Sequence, residues 1–180
     1  LGTKMGQSAS KDPAPLVQAA LIKDVDAVNQ LLKSGELPET CDAQGNHPLG
    51  AAACSGSIEI VDILLKLSAP VNLKNTMECS PVWLAAGYGH LLILDRLLEH
   101  GGDVNAANNT GDTPIIAAAF KAKFECVERL LLHPDIDVMG KNSNRDTILS
   151  LCASHGKAKL VADIFTKISD REQRMRLVNL

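Results

Sequence analysis

The chain has 180 residues and a formal net charge of −3, from 18 lysines and arginines against 21 aspartates and glutamates, with no basic run along it. That balance excludes an electrostatic nucleic-acid binder, and no apolar stretch reaches the ~20 residues needed to cross a bilayer as a helix. Apolar residues make up 46% of the chain and aromatics only 3%, so a continuous core must be built mainly from small and aliphatic side chains.

Residues 1–11 are polar and are expected to form a disordered tail, of which residues 1–4 read as a cloning scar and Met5 as the natural start. On that reading Met5-Gly6 followed by Ser10 matches the N-myristoylation signal, with the amine of Gly6 as acceptor. One acyl chain holds a protein to a membrane only marginally, so peripheral association through this lipid would need a second signal.

From Pro15 onward one phrase recurs every 33 residues, at Pro15, Pro48, Pro81 and Pro114. Such a fixed period is the mark of a solenoid, in which each unit buries its apolar face against its neighbours. The first unit, 12–41, carries Ala19-Ala20 and Leu31-Leu32, with Lys23 between its helices, and reads as an N-terminal cap. The second, 42–74, carries Ala52-Ala53, Gly56 and Leu64-Leu65; the third, 75–107, carries Ala85-Ala86, Gly89 and Leu97-Leu98. The fourth, 108–141, carries Ala118-Ala119 and Leu130-Leu131 and gains a residue near Pro134. The fifth, 142–180, has Ile148 where proline stood and is expected to be the least regular.

Each piece of the phrase has a physical reason. Proline at the first helical position loses an N–H that would have had no partner there. Ser80 and Thr113 precede their prolines and can cap the helix with a hydroxyl. The alanine pair lets a second helix, bearing the leucine pair, pack closely. Gly56 and Gly89 suit the tight turn between the helices, and Gly35 and Gly101 suit the turn after the second helix. Gly45 and Gly111 mark the loop that opens a unit, but Glu78 and Arg145 stand there in the third and fifth. Asp24, Asp26, Asp103 and Asp135 are expected in turns, satisfying loop amides. The last residues, Leu177-Val178-Asn179-Leu180, echo Val71-Asn72-Leu73 but arrive fourteen residues after Ile164, where Val71 follows Leu64 by seven. An insertion in the fifth unit and a cut from a longer protein are the expectations.

The pattern resembles the ankyrin repeat, whose phrase runs D-x-x-G-x-T-P-L-H-x-A-A-x-x-G-H and then V-V-x-x-L-L-x-x-G-A-D-V-N-A. The match is densest at Leu84-Ala85-Ala86-Gly87-Tyr88-Gly89-His90, at Gly101-Gly102-Asp103-Val104-Asn105-Ala106 and at Gly111-Asp112-Thr113-Pro114, and it spans about residues 12–165. The resemblance implies an all-α solenoid of stacked helix–turn–helix units with projecting β-turn loops. It also implies a non-catalytic adaptor that binds a protein partner on its concave face, acts as a monomer and needs no cofactor. The alternative it leaves open is the amino-terminal regulatory array of a larger enzyme or channel.

Carried over residue by residue, the concave face places Met77, Tyr88 and Phe120 with Trp83, the sole tryptophan, at the centre of a partner site. Cys79 is expected on the adjacent loop, and Asn46, Asp112 and Lys121 on a polar rim. Tyr88 and Phe120 are expected on equivalent positions of neighbouring units. Large aromatic and methionine side chains dominate interface cores, which is the reason for that choice. Asn72 and Asn105, in Val-Asn turns with Leu64 and Leu97 eight residues before them, match the family's substrates for asparaginyl hydroxylation. Five cysteines without C-x-x-C pairing point to free thiols in a reducing, cytoplasmic setting, with Cys126 and Cys152 in the core. Neither a catalytic motif nor a His/Cys cluster with metal-ligand spacing is visible.

Overall fold

A computed structural model describes residues 14–178, with side chains through 169. The expected lipidation site, Gly6, lies outside the described residues. The described chain folds into ten helices in five pairs: α1 (Pro15–Leu21) with α2 (Val25–Lys33), α3 (Pro48–Ser55) with α4 (Ile58–Lys66), α5 (Pro81–Tyr88) with α6 (Leu91–Glu99), α7 (Pro114–Phe120) with α8 (Phe124–Leu131), and α9 (Ile148–Ser154) with α10 (Ala158–Val178). The odd-numbered helices stack on one another as an inner row, and the even-numbered ones stack behind them as an outer row. The only bridge between extended residues in the described chain joins Lys141 and Thr147.

The core is continuous along the stack. Ala52, Ala53, Ala85, Ala86, Ala118 and Ala119 are buried between inner helices, and Leu64, Leu94, Leu97 and Leu130 are fully buried beneath the outer row. Small residues inside and leucines outside are what let short helices of seven to nine residues in the first four pairs persist, since isolated helices of that length are unstable in water.

Helix starts follow local chemistry. Pro15, Pro48, Pro81 and Pro114 each open an inner helix. The Ser80 hydroxyl accepts the Trp83 amide at 3.1 Å, as a cap should. Thr113 does not cap: its Oγ1 is buried without a hydrogen-bond partner. Without proline, α9 begins on a reciprocal pair instead, in which Thr147 Oγ1 accepts the Ser150 amide and Ser150 Oγ accepts the Thr147 amide. Gly56 and Gly89 end inner helices with φ of 85° and 82°, and Lys23, Glu78, Ala122 and Arg145 hold the same left-handed conformation with side chains attached.

Two expectations about turns are corrected. Asp26 lies in the first turn of α2 rather than in a loop, where it favours the helix through the dipole. Asp24 is the residue that caps, accepting the Ala27 amide. The closing echo does not begin as a turn: α10 runs 21 residues and carries Leu177 and Val178 in helix, so the longer spacing is absorbed by extending the outer helix, while Asn179 and Leu180 lie outside the described residues.

The two Val-Asn turns tie each unit to the next. Asn72 donates its amide to the Gly101 carbonyl and accepts the Asp103 amide; Asn105 does the same with Asp135 and Asp137. The hydroxylation expectation therefore falls on side chains already engaged at both ends.

Candidate interaction surface

The loops that project from the inner row share one construction. Asp42, Asn75, Asn108 and Asn142 each accept the backbone amides two and four residues ahead. The residue four ahead then receives the next unit's side-chain amide: Asn75 Nδ2 donates to Asn46 Oδ1, and Asn142 Nδ2 donates to Asp112 Oδ1. At the step between them the third unit has Cys79, a thiol where its sisters have an amide or a carboxylate. The Asn108 side chain bonds to that sulfur, so the polar ladder is weakest there.

Beside that weak step lies a hollow of about 310 Å³ between α3 and α5. Two substitutions within the repeat create it. Gly50 and Trp83 both stand two residues after their proline, so the second unit has no side chain at the position where the third has the largest one. The Trp83 ring spans to the fourth unit, and its Nε1 donates to the Asp112 carbonyl at 2.9 Å. Trp83 thus closes one wall, Gly50 leaves the space open, and Cys79 and Leu84 floor it.

Six of the residues singled out in the sequence line this hollow: Asn46, Met77, Cys79, Trp83, Tyr88 and Lys121. Met77 is 57% and Tyr88 45% exposed, while Cys79 is only 4% exposed. Cys79 is therefore part of the floor rather than of the loop surface, because its short apolar side chain turns inward where Asn46 and Asp112 bond to neighbours. Asp112 is not on the rim. Its carboxylate is held by Asn142 and by the Thr110 hydroxyl. Phe120, 65% exposed, stands outside the lining, and it is not the counterpart of Tyr88. Tyr88 follows Pro81 by seven residues, as Lys121 follows Pro114, while Phe120 falls one short.

Lys121 is the feature that sequence reasoning undervalued. Its ammonium lies 4.1 Å from the Tyr88 ring centroid and 5.2 Å from that of Trp83, so two ring faces hold one cation. Gly50 was missed altogether, although its alignment with Trp83 and Ile116 was there to be read. Burial, chiefly, pushes the Cys79 thiol above its ordinary value, while the Asn108 side chain opposes that rise. The Tyr88 phenol is raised mainly by the Cys54 sulfur beside it and then by burial. Both shifts favour the protonated form. Larger hollows occur elsewhere, one of about 590 Å³ between α8 and α10, but charged side chains and aliphatic stems line it and no aromatic side chain does.

No group of three or more His, Cys, Asp or Glu among the described residues could hold a metal ion, and no described helix is long and apolar enough to cross a membrane. A family model for ankyrin repeats, in three copies, matches residues 16–108 and 82–172. No curated protein matches the chain at a significant level.

Proposed function

The chain belongs to the ankyrin-repeat family, and from that premise we propose that it is a non-catalytic adaptor whose inner-helix face grips a protein partner around Met77, Tyr88 and Phe120. Ankyrin repeats are generally protein–protein interaction modules. The observation that carries the narrower reading is the coincidence of exposed large apolar side chains with a formed hollow on one face of the third unit. Leu21 at 38%, Met77, Tyr88 and Phe120 are exposed, and Leu21, Met77 and Tyr88 border the same depression. Apolar residues scattered singly mean little; gathered round a concavity they mark a contact site.

A chain carrying Met77→Ala, Tyr88→Ala and Phe120→Ala together tests this. Met77 and Phe120 are mostly in solvent and Tyr88 nearly half so, and the variant should keep the helical circular dichroism of the parent. In capture from cell lysate the partner recovered by the parent should fall at least tenfold, on the order expected when interface anchors are truncated. Undiminished recovery by the folded variant would move the partner site off this face.

A further inference from the structure

We infer that the hollow beneath Lys121 recognises an acidic residue adjacent to a bulky apolar one in a segment of the partner protein. This rests on the reading of the inner-helix face as the partner surface.

The argument is one of charge and size. No carboxylate lines the hollow, and Lys121 is its one cationic side chain. The salt bridges among the described residues are made by Lys74, Arg96 and Arg129, none by Lys121. Asp112, the carboxylate that acts together with Lys121 on the Cys79 thiol, is committed to Asn142 and Thr110. The ammonium at the mouth is thus held against two rings but faces no counter-ion of its own, and a carboxylate arriving there forms a charge-assisted bond. The amides that might have served instead are engaged: Asn46 Nδ2 with Asp42, and Asn75 Nδ2 with Asn46.

Behind the ammonium the walls are Ala51, Leu84, Cys79 and the Trp83 ring, which offer an apolar side chain nothing but contact. At about 310 Å³ the space is at the bottom of the ~300–1,000 Å³ range of small-molecule sites. It suits a protein side chain better than a cofactor. A cation from the partner is disfavoured, because Lys121 already occupies the ring faces and would repel it.

The test uses a random 12-residue peptide library displayed on phage and panned on the whole chain at physiological salt. Enriched peptides are then synthesised and titrated by fluorescence anisotropy against the parent, Lys121→Glu and Gly50→Leu. A side chain built on Gly50 starts 3.4 Å from Leu84 Cδ1 and fills the hollow. Enriched peptides should share Asp or Glu beside Leu, Phe or Met. Each variant should weaken them at least tenfold, and a peptide with its acid changed to Lys should regain most of that loss on Lys121→Glu. Should Gly50→Leu fail to fold by circular dichroism, Tyr88→Ala takes its place. Enrichment of Lys or Arg peptides overturns the inference. So does sensitivity to Gly50→Leu without sensitivity to Lys121→Glu, which would leave the interaction face standing. Peptides indifferent to both variants, or no enrichment at all, overturn the acidic motif and the choice of face together.

Discussion

The third and fifth units are built from the same phrase, yet they are buried to different degrees. In the third, Pro81, Val82, Ala85, Ala86 and Gly87 of α5 and Ile93, Leu94 and Leu97 of α6 are buried. In the fifth, α9 buries Ile148, Leu151 and Cys152, Leu160 and Ile164 of α10 are buried, and Phe165 remains 53% exposed. The local devices are nevertheless matched. Gly89 and Gly156 both take positive φ after the inner helix, and Glu78 and Arg145 both take it in the opening loop. What differs is the neighbours: α5 packs against both α3 and α7, whereas α9 packs against α7 and α10. Local chemistry shapes a repeat, and stacking on both sides stabilises it.

The largest effect that could break this contrast is a core truncation. Leu94→Ala removes a fully buried side chain of α6 and should cost about 3 kcal/mol, within the range for cavity-forming leucine substitutions. Phe165→Ala removes a larger side chain that is half in solvent, and should cost less than about 1 kcal/mol. Guanidinium unfolding followed by circular dichroism reads both. Equal losses would mean that α10 is as well packed as the middle of the stack.

A finer version compares two glycines with the same backbone and different surroundings. Gly56 has φ of +85° and a Cβ built there would lie 2.5 Å from the His90 ring, which is itself held by a hydrogen bond at 3.1 Å between Nε2 and the Cys54 carbonyl. Gly156 has φ of +67° and nothing within 4 Å. Gly156→Ala should therefore cost only the backbone strain, about 1 kcal/mol, and Gly56→Ala about 2 kcal/mol or more, because a rigid ring must move as well. Urea midpoints that shift equally would show that the glycines are kept for backbone reasons alone.

How much of this could be read beforehand divides along the same line. The helix starts at Pro48, Pro81 and Pro114 were legible because a fixed φ and a missing N–H act within a single residue. The left-handed turns at Gly56 and Gly89 were legible for the same reason. The failure of Thr113 to cap was not, because its counterpart Ser80 has the same local credentials and does cap. Cys79 was placed on the wrong side of the surface, since its inward turn depends on a ladder formed with two other units. Likewise Lys121 looked like a rim residue of the fourth unit, when its position is set by rings that the third unit supplies. The end of α10 misled because Val178-Asn179-Leu180 repeats the letters of Val71-Asn72-Leu73, while Val178 still belongs to a helix that has not stopped.

The smallest effect tests the claim that local chemistry is the same in both units. Glu78 and Arg145 sit at φ of 61° and 66°, a conformation that costs an L-residue on the order of 1 kcal/mol and glycine almost nothing. Glycine gives back part of that gain, because it loses more freedom on folding, by roughly 0.4–1 kcal/mol. Arg145→Gly should therefore stabilise the chain by about 0.5 kcal/mol, or roughly 1–2 °C in Tm for a chain of this size. Glu78→Gly makes the same backbone change but also gives up the exposed pair with Lys74 at 3.4 Å, which is worth only a few tenths of a kcal/mol. It should come out near zero. A calorimetric scan in which Arg145→Gly rises and Glu78→Gly stays level with the parent would place the strain in the backbone of each loop. If Arg145→Gly lowers Tm while Glu78→Gly does not, the arginine is making contacts in the fifth unit that glutamate does not make in the third, and the two loops are alike only in their angles.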